Sequence, residues 1–218
     1  EEKLRSIPRC RVARILSLTR RECAPERFEQ ALRDHGLALP VLIRPIDSQA
    51  GEDLLKLERI DQLGPYLEAT GAPEYYAIEF IDYRSADGFY RKYRVMFVDG
   101  EAYPCHLAIS GNWMVHYYNS LMAEYPWMRD EERAFLQDLG SVFDAPLRGV
   151  LGAIAERMGL DYCGIDCTLI PNGDLFVFEA DPAMIVHLSD PIEIYPYKHE
   201  YIPRISRALE AMIDRRRA

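Results

Sequence analysis

The 218-residue chain lacks several features that mark particular classes of protein. It has no apolar run near the about 18 residues of a membrane span, and its first residues, Glu1 to Arg5, lack the apolar stretch of a signal peptide. It also has no excess of basic residues, with 26 Lys and Arg against 35 Asp and Glu and a net charge of −9. Because nucleic acids and anionic membranes are bound by basic surfaces, we expect neither as a partner.

Cysteine is sparse, and its five positions are scattered along the chain: Cys10, Cys23, Cys105, Cys163 and Cys167. An odd, dispersed set fits neither a disulfide framework nor a zinc-binding pair of Cys-x-x-Cys motifs. Reduced thiols and a cytoplasmic location are the simplest interpretation. The nucleophile elbow Gly-x-Ser-x-Gly, His-Glu-x-x-His and Gly-x-Gly-x-x-Gly are absent as well, so the motifs give no support to a hydrolase or a Rossmann fold.

The elements that the pattern predicts alternate between helices and antiparallel hairpins, which indicates an α+β architecture. A strand is predicted over 12–18 and a leucine-rich helix over 54–63. Asp99-Gly100 lies between two apolar strands and is a strong hairpin signal, and Asn172-Gly173 separates a further strand pair. The length fits one large domain or two small lobes.

Three carboxylates meet on the second of these hairpins. If Asn172-Gly173 forms the turn, Asp166 directly faces Glu179, and strand alternation places Asp181 on the same face. Like charges in direct opposition destabilise a sheet by up to about 1 kcal/mol unless something compensates them. Carboxylate oxygens suit Mg²⁺ or Mn²⁺; a solvated acidic face is the alternative. The other face is predicted to be core and carries Ile165, Cys167, Phe176, Phe178 and Ala180.

Cationic side chains and a small loop are further candidates. The segment 42–52 reads as strand, loop and helix start, a layout that can hold phosphate, although a plain loop fits as well. Arg44 lies between apolar residues and needs an anionic partner, either phosphate or an internal carboxylate. Lys92 and Arg94 share one strand face and meet either phosphate or solvent. Candidate substrate contacts, or else structural residues, are His106, His116 and Asn119.

Taken in order, these parts resemble the ATP-grasp superfamily of carboxylate–amine ligases, such as glutathione synthetase and D-alanine–D-alanine ligase. The most specific part of this resemblance is that Asp166, Glu179 and Asp181 match the metal-binding strands of the superfamily. The other matching segments are Val41–Pro45, Ser48–Gly51, Ala77–Ile81 and Tyr93–Gly100.

The resemblance implies an ATP-grasp fold over 1–218, with two α+β lobes whose antiparallel sheets enclose the nucleotide. The small lobe would span about 40–82 and the larger lobe about 83–218. A further N-terminal domain would lie upstream of Glu1 or be absent. ATP and Mg²⁺ (or Mn²⁺) would be bound, an acid would be phosphorylated to an acylphosphate, and an amine would attack it.

The resemblance also implies roles for single residues. Asp166, Glu179 and Asp181 would hold metal, and Arg44 and Arg94 would have the catalytic role of contacting phosphate or acylphosphate. The nucleotide contacts would be Arg44, Ser48, Gly51 and Lys92 for phosphate, Glu79 and Ile81 for adenine through the main chain, and Asp82 or Asp87 for ribose.

Three positions depart from the superfamily pattern. Arg44 stands in place of a lysine, Asp181 in place of an asparagine, and Ala108 or a neighbour in place of an arginine. A non-catalytic nucleotide-binding or interaction module is therefore the rival to a ligase.

The partners that the resemblance implies are acid and amine substrates, either small molecules or peptides. Likeness to a bacterial subgroup often joined to tetratricopeptide repeats adds such a repeat as a partner or fused domain. The oligomeric state stays open, with a homodimer as one alternative.

Overall fold

The structure is a computed structural model that describes residues 2–48, 51–115 and 120–217. The chain forms two compact units, one of residues 13–81 and one of residues 1–12 together with 82–218. The smaller unit thus begins at Ala13 and ends at Ile81.

The secondary structure alternates between helices and strands, as the pattern predicted. The strands are β1 Cys10–Val12, β2 Ile15–Thr19, β3 Val41–Pro45, β4 Leu55–Leu57, β5 Glu74–Glu79, β6 Tyr90–Val98, β7 Glu101–Ser110, β8 Tyr162–Leu169 and β9 Leu175–Asp181. The α-helices are α1 Glu2–Arg5, α2 Pro25–Asp34, α3 Leu63–Thr70, α4 Pro126–Gln137, α5 Ala145–Met158, α6 Pro196–Tyr201 and α7 Pro203–Arg217. In the described ranges, no helix has both the length and the apolar character that crossing a bilayer requires.

The smaller unit contains an antiparallel sheet with the strand order β2-β5-β3-β4. Phe28 and Leu32 of α2 pack into its core. The helix predicted over 54–63 is wrong at its start, because Leu55–Leu57 is a strand paired with β3 and the α-helix begins at Leu63. Two leucines spaced by two residues fit a strand as well as a helix, and Leu57 is fully buried in the sheet's core.

The larger unit contains a five-stranded sheet with the order β1-β9-β8-β6-β7. β1 runs parallel to β9, and the other neighbours are antiparallel. The single strand predicted over 12–18 is therefore wrong, since β1 belongs to this sheet and β2 to the sheet of the smaller unit. The change of unit falls between Val12 and Ala13, inside an apolar run that local pattern alone reads as one strand.

The two faces of the larger sheet differ in polarity along β6. Tyr93, Val95 and Phe97 lie in the main core with residues of α4 and α5. On the opposite face, Met96 and Val98 pack with residues of α7, whereas the preceding residues of the same face are Lys92 and Arg94. This leaves half of the face polar.

The predicted hairpin at Asp99-Gly100 is confirmed, because β6 and β7 pair in antiparallel register around it. Both turn residues have positive φ, 51° for Asp99 and 84° for Gly100, as the tight turns that join antiparallel strands require.

All five cysteines are buried and free, as reduced thiols would be. Burial raises the pKa of Cys10 and Cys23 to about 11 and that of Cys105 to about 12. These thiols are therefore protonated and unreactive near neutral pH.

Gly164 of β8 tests how tightly the carboxylate strands are packed. A Cβ atom there would lie 2.7 Å from the sulfur atoms of both Met96 and Met184, so we expect Gly164→Ala to lower the free energy of unfolding by about 1–3 kcal/mol. Gly152 of α5 is the matched control, because a Cβ there meets nothing within 4 Å. Gly152→Ala should raise stability by about 0.5–1 kcal/mol. Urea unfolding of both variants measures the difference, and equal stabilities would contradict this packing.

Candidate functional site

The carboxylates of the second hairpin lie in the predicted register. Asp166 of β8 faces Glu179 of β9, and Gly164 faces Asp181. A β-bulge follows, so that Cys167 faces Val177. The bulge makes the face assignment of Phe176 and Phe178 wrong, because Leu175 and Val177 are the β9 residues in the main core. Phe176 is buried all the same, at 4% exposure, and its ring packs against that of Phe178.

Asp166 is neutralised by two cations from the neighbouring strand β6. Its Oδ1 accepts from Arg94 Nε at 2.8 Å, and its Oδ2 accepts from Arg94 Nη2 at 3.1 Å. Lys92 Nζ lies 3.2 Å from the same Oδ2. Burial alone would raise the pKa of Asp166, but the hydrogen bonds from Arg94 and the charge of Lys92 outweigh it and hold the pKa below its ordinary value. Asp166 is thus a buried, ionised carboxylate.

Glu179 and Asp181 are more accessible than Asp166. Burial, together with the charges of Asp166 and Asp181, raises the pKa of Glu179. Asp181 accepts a hydrogen bond from the main-chain N–H of Ala183 at 2.7 Å. The three carboxylates thus share a negative field that a divalent cation would relieve. In residues 2–48, 51–115 and 120–217, however, no three acidic, His or Cys side chains converge tightly enough to hold a metal ion.

An aromatic cluster that the sequence analysis did not identify lies on the same face. The ring of Tyr83 is 4.9 Å from those of Tyr90 and Phe178, and Phe178 is 4.8 Å from Phe176. Tyr90 precedes Lys92 and Arg94 in strand alternation, which is the signal that could have placed it on this face. Phe178, the residue that precedes Glu179, is therefore held in place by ring contacts with Tyr83 and Phe176.

His106 is committed to a buried polar cluster. It faces Arg94 across the sheet, and its Nδ1 lies 2.7 Å from Oε1 of Glu132, a fully buried residue of α4. Burial lowers the pKa of His106 despite the opposing effect of Glu132. The neutral ring therefore donates its Nδ1–H to the carboxylate. The other two candidate substrate contacts, His116 and Asn119, lie outside the described residues.

Glu132 is the centre of this cluster. It also accepts from Tyr197 Oη at 2.6 Å and from the main-chain N–H of Leu107 at 3.2 Å, and Lys198 Nζ is 3.2 Å away. Lys198 donates in turn to Asp190 at 2.8 Å. Sequence reasoning missed Glu132, although its spacing of four residues from the buried Met128 and Leu136 places it on the apolar face of α4.

The two candidate ribose contacts are both ion-paired with nearby arginines. Asp82 accepts from Arg84 at 3.1 Å, and Asp87 accepts from Arg91 at 3.0 and 2.7 Å. A ligand hydroxyl would have to share these oxygens with a guanidinium.

In the smaller unit, Arg44 contacts the loop that follows its strand. Its Nη1 donates to the carbonyl oxygen of Ser48, and to Ser48 Oγ and the Pro45 carbonyl oxygen at 3.4 Å each. The guanidinium lies 5.3 Å from the centre of the Tyr76 ring. Within the part of the chain that the structure describes, Arg44 has no carboxylate partner. Gly51 follows with a φ of 79°, and the two residues between Ser48 and Gly51 lie outside the described ranges.

Glu79 ends β5 and forms an ion pair within the smaller unit. Its carboxylate accepts from Arg14 Nη2 at 3.0 Å and Nε at 3.3 Å, and its main-chain N–H donates to the Arg14 carbonyl oxygen at 2.8 Å. Ile81 is the last residue of this unit.

The comparisons identify the fold from solved structures. The chain is 14% identical to the ATP-grasp ligase PsnB, solved with a phosphomimetic variant of a minimal precursor, Mg and ADP. The match has a TM-score of 0.54 and covers 97% of this chain and 57% of that one. Macrocyclase MdnC, bound with precursor peptide MdnA from Microcystis aeruginosa MRC, is 14% identical with a TM-score of 0.52, over 96% and 57% of the two chains. D-alanine–D-alanine ligase from Bacillus anthracis, complexed with ATP, is 13% identical with a TM-score of 0.52. That match covers 99% of this chain and 63% of the ligase.

These likenesses, together with the two α+β units, define the architecture. The chain has the ATP-grasp fold, as the sequence resemblance predicted. No family model and no curated protein matches the sequence. The chain spans 57% to 63% of the length of these three structures, so the likeness concerns the fold.

Because of Glu132, we expect the free energy of unfolding to vary with pH in the acid range. Burial alone would raise its pKa, but His106, Lys198 and Tyr197 hold the pKa at about 2, below the ordinary value of 4.5. A lowered pKa stabilises the fold above the ordinary value, and that stabilisation is lost as pH falls towards about 2. We expect Glu132→Gln to lower the free energy of unfolding by about 3 kcal/mol near neutral pH, because Lys198 loses a buried partner.

The difference between Glu132→Gln and the parent protein should shrink as pH falls from neutral towards 3, in urea unfolding at each pH. Glu131→Gln is the matched control in the same helix, since Glu131 pairs with Arg91 at a partly exposed site. A constant difference for Glu132→Gln across this range would contradict the assignment.

Proposed function

We propose that the chain is the ATP-binding part of an ATP-dependent ligase that joins a carboxylate to an amine through an acylphosphate. One observation carries the proposal: an ATP-grasp fold places three carboxylates and two cations together on one polar sheet face. Phosphoryl transfer needs cations that neutralise phosphate oxygens and a site that positions the nucleophile. The polar half of this sheet offers both kinds of group.

The donor chemistry of the carboxylates fits Mg²⁺ or Mn²⁺. Their ligands are hard oxygens, and the raised pKa of Glu179 reflects burial and the neighbouring negative charges. Glu179 and Asp181 would bind the ion directly, and Asp166 would join them once a cation leaves one of its oxygens. Bound metal would supply neutralisation of phosphate charge. Lys92 and Arg94 would contact phosphate or acylphosphate oxygens.

The smaller unit would contribute to nucleotide binding. Arg44 has carbonyl, hydroxyl and aromatic contacts but no carboxylate among the described residues, so its charge is available to a phosphate. Ser48 and Gly51 would complete a phosphate loop, and the main chain of Glu79 and Ile81 would contact adenine. Asp82 or Asp87 would accept a ribose hydroxyl beside its arginine.

The acid and the amine are small molecules or peptides in this proposal. PsnB and MdnC were solved with precursor peptides, and a D-alanine ligase shares the fold, so the neighbours include both kinds of substrate. A tetratricopeptide-repeat partner and a homodimer stay predictions.

A non-catalytic nucleotide-binding module is the second candidate. It is favoured by Arg44 in place of the superfamily's lysine and by the complete pairing of Asp166 with cations. ADP formation with a panel of acids and amines separates the two, because a binding module releases none.

Nucleotide binding itself is tested by thermal melts. ATP with Mg²⁺ should raise the melting temperature, since ligand bound to the folded state alone stabilises it. Glu179→Gln removes a charge at nearly constant shape, so it should leave the fold intact and abolish the Mg²⁺-dependent part of the shift. Glu200→Gln, at an exposed position of α6, is the control and should respond like the parent. Equal metal responses of Glu179→Gln and the parent would contradict the metal assignment.

Arg44 allows a separate test of the smaller unit. We expect Arg44→Ala to weaken ATP binding by about tenfold, the loss of one charged hydrogen bond. Arg44→Lys should retain much of the affinity, because the charge remains and only the paired hydrogen bonds of the guanidinium are lost. Isothermal titration with ATP and Mg²⁺ measures both affinities. Normal affinity in Arg44→Ala would show that Arg44 only stabilises the loop that follows its strand.

A further inference from the structure

The oxygens of Asp166 are already used by protein cations. Arg94 occupies Oδ1 at 2.8 Å and Oδ2 at 3.1 Å, and Lys92 shares Oδ2 at 3.2 Å. The Asp166 side chain is only 5% exposed, so almost none of its surface is left open to a divalent cation from solvent. Any metal bound by Asp166 therefore has to compete with one of these two cations for the same oxygen.

The two cations are held very differently. Arg94 makes two parallel hydrogen bonds to Asp166, and its Nη1 donates to the carbonyl oxygen of Ile185 at 3.2 Å. Lys92 contacts Oδ2 alone among the described residues, through a flexible four-carbon stem that is 23% exposed. An ammonium group is a rotatable point charge, whereas a paired guanidinium is fixed in its plane. Lys92 is therefore the cation that exchanges, and Arg94 is the one that keeps Asp166 oriented.

Charge balance couples this exchange to the nucleotide. Asp166, Glu179 and Asp181 oppose Lys92 and Arg94, which leaves a formal excess of one negative charge on the face. A divalent cation by itself would reverse that excess and leave Lys92 without an anion. A polyphosphate that arrived together with the metal would give Lys92 a new anionic partner.

We propose that Lys92 is an exchangeable counter-ion: it occupies Asp166 and keeps divalent metal off this carboxylate until a nucleotide phosphate takes Lys92 over. This rests on the proposed function. The exchange makes metal and nucleotide raise each other's affinity, and by linkage the factor is the same in both directions. Lys92 thereby couples the binding of the metal at Asp166 to the binding of the nucleotide phosphate at Lys92 itself.

Lys92→Met gives effects of opposite sign on the two ligands. Without the competing ammonium, the variant should bind Mn²⁺ alone about fivefold or more tightly than the parent protein. With Mn²⁺ saturating, it should bind ADP about tenfold more weakly, because one phosphate contact is lost. Binding of Mn²⁺ alone is followed by the electron paramagnetic resonance signal of the free ion, and binding of ADP by isothermal titration.

Two further variants serve as controls. Lys92→Arg keeps a cation on Asp166 and should not bind Mn²⁺ more tightly than the parent. Lys56→Met changes a lysine that is equally exposed, at 23%, and paired with Glu58, so it should leave the affinity for Mn²⁺ alone unchanged. Circular dichroism melts confirm that each variant folds, which is expected for Lys92→Met because Arg94 still pairs with Asp166.

The possible failures are distinct. If the parent protein binds no ADP with Mn²⁺, the proposed function fails. If the parent binds Mn²⁺–ADP but Lys92→Met binds Mn²⁺ alone no more tightly than the parent, the exchange fails and the proposed function stands. Weaker binding of Mn²⁺ and ADP alike, or no detectable Mn²⁺ binding by Lys92→Met at millimolar concentration, likewise overturns the exchange.

Discussion

The ion pairs of Asp166 with Lys92 and Arg94 of β6 help to determine how the central strands of the larger sheet pair. A carboxylate that is 5% exposed costs several kcal/mol to bury unless it is paired and hydrogen-bonded, and here the partners come from the adjacent strand. A slip of β6 by one residue would turn Lys92 and Arg94 into the apolar core and bring Tyr93 to the polar face. The pairing of β6 with β8 is therefore specified by charge on one face and by apolar packing on the other.

Among the described residues, the larger unit has two buried carboxylates, Asp166 and Glu132, and they differ in what surrounds them. Glu132 is fully buried, and Lys198, one of its partners, is 3% exposed, so the group forms a closed structural tie between α4, β7 and α6. Around Asp166 the two cations are each 23% exposed. Cations that reach solvent can change partners at little cost, whereas cations sealed inside cannot. This difference in access makes the Asp166 group a candidate site and the Glu132 group part of the scaffold.

Local pattern predicted much of this arrangement. Alternation and the Asn172-Gly173 turn predicted Asp166 opposite Glu179. The pairs nearer the turn, such as Leu169 with Leu175, are one residue off that register, and the bulge restores it at Asp166. The pairing of Arg94 with Asp166 joins strands 72 residues apart, and nothing local specifies which strand becomes the neighbour of β8. The bulge that moved Phe176 and Phe178 off the core face was also invisible, since an apolar strand of phenylalanine and valine reads equally well with either set facing inward.

The fold and the site depend on the sequence in different ways. Apolar alternation and turn positions can be met by many sequences, which is why an ATP-grasp fold is compatible with 13–14% identity to the solved structures. Chemistry depends on individual charges, and a guanidinium at Arg44 or a carboxylate at Asp181 is compatible with the fold while changing the charge and shape offered to a ligand. Asp181 places a negative charge where the superfamily pattern has a neutral amide, so the field that would attract a metal in the proposed site is stronger here. In the proposed exchange, the same field would hold Lys92 more firmly, so a divalent cation would gain access to Asp166 only when phosphate is present to receive that lysine.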